Sequence, residues 1–196
     1  NAQFAHFIRA TNYRTTGREK DSGRAWTGSQ WVGVKGADCG HPGGPTTSIE
    51  GKDAHPVVQV SWYDAKAFCD CVGLILPTEE QWEKAARGAN GLIWPWGDEK
   101  PTSDHCNFNK NVGDTTSVGK YSPRGDSPWG CADIAGNVLE WTVPLYRQER
   151  TRALRGGSWN YNDRNTRAAF WDDDSPDHRS DNIGFRVVEL LSDPAT

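Results

Sequence analysis

The chain has 196 residues, 35% of them hydrophobic and 11% aromatic, and its formal net charge is −4. This length fits one domain with a real core over residues 1–196, and the 10 tryptophans supply large apolar surfaces to bury. The acidic balance and the lack of a long basic block argue against nucleic acid as a partner, and no apolar run approaches the length of a membrane span.

The first third of the chain predicts one helix, one long loop and one strand. NAQFAHFIRATNY places Phe4 and Phe7 at helical spacing after Asn1, a residue type that caps helices. Residues 15–47 are dense in glycine and polar side chains, which is typical of loops. The valines of HPVVQVSW then predict a short strand around residues 57–60.

Two further helices carry clear start and stop signals. Ser61 has the side chain of an N-cap, and the helix that follows it is predicted to end at Gly73. Thr78 with Gln81 three residues later forms a capping-box pattern, and Gly88 marks the end of that helix. The apolar positions of both helices recur at helical spacing, so each is expected to pack one face on the core.

Beyond residue 88 the sequence loses its long periodic segments. Short strands are expected to alternate with turns in five segments: 90–101, 118–130, 139–143, 151–159 and 182–190. No repeat and no linker divides the chain. The sequence therefore predicts one α+β domain with its helices early and a small, irregular antiparallel sheet late.

The five cysteines and five histidines form no recognisable site in the sequence. Their spacings match neither a zinc finger nor an H-x3-H pair, and no G-x-S-x-G motif is present. The odd cysteine count favours free thiols in a reducing compartment, although one or two disulfides plus a leftover thiol remain open. Each histidine is interpreted as a loop or surface residue.

Five motifs carry a resemblance that covers nearly the whole chain. They are LPTEEQWEKAARG, WPWGD, DIAGNVLEWT, RGGSW and IGFRVV, in that order. Together they resemble the formylglycine-generating-enzyme (sulfatase-modifying factor) family. The resemblance implies a C-type lectin-like fold of the formylglycine-generating-enzyme type, with two main helices, small irregular antiparallel sheets and many loops.

The resemblance does not bring the family's copper chemistry with it. The enzymes that make formylglycine need a cysteine pair just after the GGSW-type segment, because soft thiolates hold copper there. Here SWNYNDRNTRAAF contains no cysteine. A second branch, the iron-dependent sulfoxide synthases, takes its iron-binding histidines from an additional helical domain, which residues 1–196 do not include. We therefore expect neither copper nor iron, and we predict no catalytic residues.

The resemblance also implies a calcium site, because in the family the segment equivalent to DIAGNVLE wraps a calcium ion. The resemblance implies ligands at Asp133, Gly136, Val138 and Glu140, through two carboxylates and two carbonyls. Calcium takes six to eight oxygen donors of these kinds. The alternative is that Asp133 and Glu140 hydrogen-bond the loop backbone without a metal.

The run between RGGSW (residues 155–159) and IGFRVV (residues 183–188) has an unusual composition. From Trp159 to Asn182, 15 of 24 residues are Asn, Asp, Ser, Thr, Tyr or His. These six amino acids are reached from an Asn codon by changing one adenine or none. The run resembles the variable region of proteins diversified by retroelements through adenine-directed mutagenesis, which implies a diversified ligand-binding region at about 155–188.

The predicted function is therefore non-catalytic binding, with exposed members of the polar run as the ligand surface. Tyr161, Phe170 and Trp171 are the expected anchors, since binding sites need a few buried aromatic residues. The six aspartates of the run predict a basic or hydrogen-bond-rich ligand, a protein or another macromolecule, and a salt-sensitive association. The predicted ligand-binding residues are Asn160, Tyr161, Asn162, Asp163, Asn165, Thr166, Phe170, Trp171, Asp172, Asp173, Asp174, Asp177, His178, Ser180, Asp181 and Asn182.

Two alternatives stay open at this point. Ordinary members of the family also have Asn-rich sequence after GGSW, where Asn and Asp satisfy backbone groups of a long loop. The chain would then be an accessory member, or an oxidoreductase without the usual cysteine pair. The sequence shows neither a signal peptide nor a membrane segment, and the compartment stays unknown, either the cytoplasm or the surface of a prokaryote or phage.

Overall fold

A computed structural model describes residues 1–143 and 150–190. The single-domain prediction for residues 1–196 also covers 144–149 and 191–196, which lie outside the described residues. The elements are, in chain order, α1 (Ala2–Thr11), α2 (Thr16–Lys20), β1 (Ser22–Trp26), β2 (Trp31–Lys35), α3 (Trp62–Val72), α4 (Glu79–Arg87), β3 (Leu139–Trp141), β4 (Arg152–Arg155), a 3₁₀ helix (Asp163–Thr166), β5 (Trp171–Asp174) and β6 (Ile183–Phe185).

The two capped helices form as the sequence predicts. Ser61 Oγ accepts the Asp64 N–H at 3.1 Å, and the Asp64 carboxylate accepts the Ser61 N–H at 2.8 Å. Thr78 and Gln81 make the same reciprocal pair at the start of α4. The helices end before Gly73 and Gly88, both with positive φ. Only the α1 cap is wrong in detail, because the side chain of Asn1 makes no capping hydrogen bond.

Two predictions in the first third of the chain are wrong. The expected loop at 15–47 contains α2 and an antiparallel hairpin of β1 and β2, closed by a Trp26–Trp31 ring pair at 5.5 Å. The expected strand at 57–60 does not form. Its buried Gln59 has φ 58° and donates its side-chain amide to the carbonyl oxygens of Arg24 and Pro42. Tertiary hydrogen bonds override the valine pattern there.

The late strands build a four-stranded sheet in the order β5-β4-β3-β6. Its β5–β4 and β4–β3 pairs are antiparallel as predicted, but β3 and β6 are parallel. Segments 90–101 and 118–130 form turns and bends in place of strands. The strand β5 was not predicted, and it places part of the polar run at one edge of the sheet.

The core joins the sheet to the early helices. One cluster packs Ala65 and Cys69 of α3 against strand residues such as Trp141 and Leu154. A second cluster holds Trp82 of α4, and a third packs aromatic side chains of α1 and α3 with Cys39, Val57 and Val60. RGGSW is buried throughout and IGFRVV is buried or half-buried. These two motifs are therefore the fixed ends of the polar run.

Candidate ligand-binding surface

An open depression of about 500 Å³ lies beside the edge strand β5. Seven of the 16 predicted ligand-binding residues line it together with two residues of an earlier loop. We call this the binding depression, and its lining consists of Asn109, Lys110, Asn160, Tyr161, Asn162, Asn165, Phe170, Trp171 and Asp172. The fold thus gathers nearly half of the predicted surface at one place.

The early loop forms a fixed wall of the depression. Asn109 and Lys110 have φ values of 49° and 60°, in the left-handed region that non-glycine residues rarely adopt. Their N–H groups donate to the Tyr161 and Trp159 carbonyl oxygens at 2.6 and 2.7 Å. These bonds offset the conformational cost, which is of the order of 1 kcal/mol per residue. The sequence prediction missed both residues, and only the Asn-rich string NFNKN hinted at them.

Aromatic rings form the floor and one rim. Tyr161 packs edge-to-face on Phe170 with centroids 6.1 Å apart, and its hydroxyl donates to Asp172 Oδ2 at 3.2 Å. Burial and the Asp172 carboxylate raise the pKa of Tyr161, so the phenol stays protonated. Trp171 is different, since 46% of its surface is exposed. Tyr161 and Phe170 are therefore half-buried supports, whereas Trp171 faces the solvent.

Two asparagines of the lining are anchored by their carbonyl oxygens. Asn160 Oδ1 accepts the Ser158 hydroxyl at 2.7 Å and the Asn182 amide at 3.1 Å. Asn162 Oδ1 accepts the Arg164 N–H at 3.0 Å and so caps the 3₁₀ helix. Each anchoring fixes the plane of the amide and leaves its NH₂ group for the depression.

Three predicted surface residues are buried and do not belong to an exposed surface. Thr166 is fully buried, where its hydroxyl accepts Trp94 Nε1 and donates to the Asp163 carbonyl. Ser180 and Asn182 are each 2% exposed. Asn182 donates to Ser158 and Asn160, and the Ser180 carbonyl accepts the Gln59 N–H. Small polar side chains are used here to satisfy buried groups, which composition alone does not reveal.

Residues 177–181 are bound to the β1–β2 hairpin region. Asp177 pairs with Lys20, whose ammonium lowers the pKa of that carboxyl. Asp181 accepts the Trp26 N–H at 2.8 Å, and burial raises its pKa to about 6. His178 lies with Nδ1 3.4 Å from the Asp174 carboxylate. Two of the six aspartates are thus engaged with the scaffold, which reduces the negative charge that composition predicted for the surface.

The remaining aspartates lie near the depression. Asp173 is exposed on β5, where the side chain of Asp172 accepts its N–H at 3.0 Å. Asp174 accepts the Ser175 N–H in the same way, at 2.8 Å. Asp163 begins the 3₁₀ helix and is half-buried. These three residues flank the depression without lining it.

Three of the four predicted calcium ligands, Asp133, Val138 and Glu140, line a separate cavity of about 550 Å³ with Arg186. Asp133 Oδ2 accepts the Gly119 N–H at 2.6 Å, as the metal-free alternative expects, and burial raises the pKa of Asp133. Glu140 accepts Trp82 Nε1 at 2.6 Å and two N–H groups of Arg186. Arg186 Nη2 also donates to the carbonyls of Ala132 and Asp133.

Arg186 thus supplies a positive charge to the predicted calcium site. Asp133, Val138 and Glu140 line the same cavity, and the Glu140 carboxylate is already paired with this guanidinium. Gly136, at φ 76°, is not among the residues that line the cavity. Calcium binding stays a prediction.

All five cysteines are unpaired, and none lines the binding depression. Burial raises the pKa of Cys39 and Cys69 to about 11 and that of Cys106 to about 12. These three thiols are therefore protonated at neutral pH and poor nucleophiles. Among the described residues, no three His, Cys, Asp or Glu side chains meet as a metal-binding group, and no helix is long and apolar enough to cross a membrane.

The helices, the mixed sheet and the long polar loops define a C-type lectin-like fold of the formylglycine-generating-enzyme type. The family model described as "Sulfatase-modifying factor enzyme 1-like domain" matches residues 1–191. The chain belongs to this family, as its motifs predicted.

Relatives in the family include proteins named as active and as inactive. The inactive C-alpha-formylglycine-generating enzyme 2 of Bos taurus is 34% identical over 232 residues, covering 99% of this chain and 75% of that protein. The formylglycine-generating enzyme of Streptomyces coelicolor is 34% identical over 237 residues, covering 96% and 74%. Membership of the family therefore does not decide whether a chain is catalytic.

Solved structures support the fold. PvdO from Pseudomonas aeruginosa aligns with a TM-score of 0.73 and 20% identity, over 95% of this chain and 76% of that one. Treponema denticola variable protein 1 aligns with a TM-score of 0.61 and 24% identity, over 78% and 77%. At these identities the likeness concerns the fold.

Proposed function

We propose that this chain is a non-catalytic binding protein that displays a diversified surface on its fold. One observation carries the proposal: seven residues singled out by composition line one open depression. A solvated loop without a role has no reason to gather its side chains around a concave surface flanked by an exposed tryptophan. Binding sites are concave and combine apolar walls with a few placed polar groups.

The polar run contains both buried residues that hold the loop in place and residues that reach the surface, and this separation also favours diversification. Asn162, Asn165 and Trp171 are half-buried or exposed, so substitutions there cost little stability. RGGSW and the buried Thr166 and Asn182 hold the loop in place. A scaffold of this kind tolerates exchange of its presented side chains without repacking its core.

A pair of matched libraries tests the proposal. In the first, Asn162, Asn165, Trp171 and Asp172 are randomised; in the second, the buried Thr166, Ser180 and Asn182 are randomised. We expect most members of the first library to fold, as measured by protease resistance on phage, and to yield binders against unrelated target proteins. The second library should fold poorly. If both libraries fold equally badly, or if the first yields no binders, the display function is contradicted.

The alternative is a family oxidoreductase or accessory protein without the usual cysteine pair. Its support is the relationship to active formylglycine-generating enzymes. The lining of the depression offers that chemistry no thiol and no imidazole. Stoichiometric copper or iron in the purified protein, together with turnover of a cysteine-containing sulfatase peptide, would establish the enzyme and displace the binding function.

A further inference from the structure

The guanidinium of Arg186 collects oxygen atoms from the segment that the sequence predicts to wrap calcium. Its Nε donates to Glu140 Oε2 at 2.5 Å, and its Nη2 donates to Glu140 Oε1 at 2.7 Å. The same Nη2 donates to the carbonyl oxygens of Ala132 and Asp133, at 3.2 and 3.3 Å. One cation of the chain therefore holds a carboxylate and two backbone carbonyls, which are the donor types that calcium binds.

Both oxygens of the Glu140 carboxylate are engaged with protein donors. Oε2 also accepts Trp82 Nε1 at 2.6 Å, and Glu140 is 5% exposed. An ion that bound this carboxylate would lie beside Arg186, because both would contact the same two oxygens. Like charges so close together repel each other strongly where water is scarce. Displacing Trp82 or Arg186 instead would leave a buried donor without a partner, which is costly.

Few protein donors remain for an ion placed away from Arg186. Asp133 Oδ2 already accepts the Gly119 N–H at 2.6 Å, and Gly136 does not line the cavity. Asp53 and Val138 do line it. An ion held by Asp133, Asp53 and Val138 alone would complete its shell with water. Such a site is weak, because calcium affinity falls with the number of charged protein ligands and with the rigidity of the site.

The segment needs a group that holds its two ends together. Asp133 and Asn137 have φ values of 49° and 62°, in the left-handed region that non-glycine residues rarely adopt. Such a turn persists only where its surroundings fix it. Arg186 contacts both ends, through the carbonyls of Ala132 and Asp133 at the start and the Glu140 carboxylate at the end. This bridging is what a bound cation would otherwise contribute.

We propose that the Arg186 guanidinium takes the place of a bound cation in residues 133–140, so that the chain folds and keeps its full stability without calcium. This role of Arg186 and the sequence prediction of a calcium site exclude each other, and one set of measurements decides between them. The role is independent of the proposed binding function, since Arg186 and residues 133–140 do not line the binding depression.

The test is thermal unfolding of the full chain, freed of metal and measured once with excess calcium and once with chelator. The Tm of wild type should differ by less than about 1 °C between the two conditions, and calorimetric titration should show no stoichiometric calcium binding. Arg186→Gln removes the positive charge and should lower the Tm in chelator. Calcium should then raise the Tm of this variant by roughly 5 °C or more at about 100-fold excess over its Kd. Arg164→Gln is the matched control, because Arg164 is exposed and its loss should change neither Tm.

Arg186→Lys separates the charge from the hydrogen bonds. An ammonium group keeps the charge but lacks the planar fork, so this variant should be less stable than wild type and still not respond to calcium. Stoichiometric calcium binding by wild type, or a wild-type Tm that falls in chelator, would overturn the proposal. So would an Arg186→Gln variant that is as stable as wild type, or one that is destabilised without responding to calcium. If Arg186→Gln folds in neither condition, the calcium titration of wild type decides.

Discussion

Replacement of Glu140 by Gln should reveal how much the buried Glu140–Arg186 pair contributes to the fold. Glu140 is 5% exposed and accepts three N–H groups, one from Trp82 and two from Arg186. The substitution removes the negative charge, and its new NH₂ group must face a donor. It leaves the other members of the site in place.

The expected loss follows from the geometry. Breaking a buried ion pair by removing one partner costs about 3–5 kcal/mol. The Arg186 side chain is 25% exposed, so solvent recovers part of the loss and about 3 kcal/mol is the better figure. For a chain of 196 residues this corresponds to a fall in Tm of about 6–12 °C.

Thermal unfolding followed by circular dichroism measures the effect, with Glu99→Gln as an exposed control expected to shift Tm by less than about 1 °C. A fall of less than about 2 °C for Glu140→Gln would refute the reasoning. Repeating the melts with calcium and with chelator adds a second result. If calcium binds between Asp133 and Glu140, calcium raises the Tm of wild type and not that of the variant.

Three further substitutions have defined outcomes. Gly136→Ala should destabilise the protein by about 2 kcal/mol or more, because φ is +76° and its Cβ would lie 2.3 Å from the Asn107 carbonyl oxygen. Gly130 is the matched control, because its φ is +75° and a Cβ there would meet open space. A denaturant titration should find a smaller loss of stability for Gly130→Ala than for Gly136→Ala. Equal losses would exclude the close approach to the Asn107 carbonyl as the cause. Burial raises the pKa of Asp181 in the folded protein to about 6, from the usual 3.8 of the unfolded chain. The protonated carboxyl therefore adds stability that is fully present below about pH 4 and is lost as the pH rises through 6. The Asp181→Asn variant should therefore become more stable relative to wild type as the pH rises from 4.5 to 7.5. A difference in the free energy of unfolding between the two proteins that stays constant over this range would contradict the assignment. Trp171→Ala should leave Tm within about 2 °C of wild type, because nearly half of the ring is exposed, and a large fall would make Trp171 a core residue.

Local signals in the sequence were sufficient for part of the fold. Ser61, Thr78, Gly73 and Gly88 bounded two helices correctly, because capping is decided by neighbouring residues. The hairpin was missed, since its glycines and polar residues resemble a loop until cross-strand pairing is known. The parallel β3–β6 pair was also missed, because strand direction depends on contacts between residues more than 40 positions apart.

The candidate site, too, could be predicted in part from the sequence, whereas the rest depends on contacts between distant residues. Composition found the polar run, and seven of its residues line the depression. It could not separate Asn162, which faces the depression, from Asn182, which is buried. Nor could it find Asn109 and Lys110, which reach the site from another loop through backbone hydrogen bonds. Residue type indicates what a side chain can bind, whereas burial decides whether a ligand reaches it.

The most direct test of the account is deep sequencing of this gene's 3′ segment in the population that carries it. Diversified display predicts that copies differ at adenine positions, in the codons of exposed or half-buried residues such as Asn162, Asn165, Trp171 and Asp173. The buried Thr166, Ser180 and Asn182, together with RGGSW and IGFRVV, should stay constant. A uniform sequence, or changes scattered evenly over buried and exposed positions, would contradict the account.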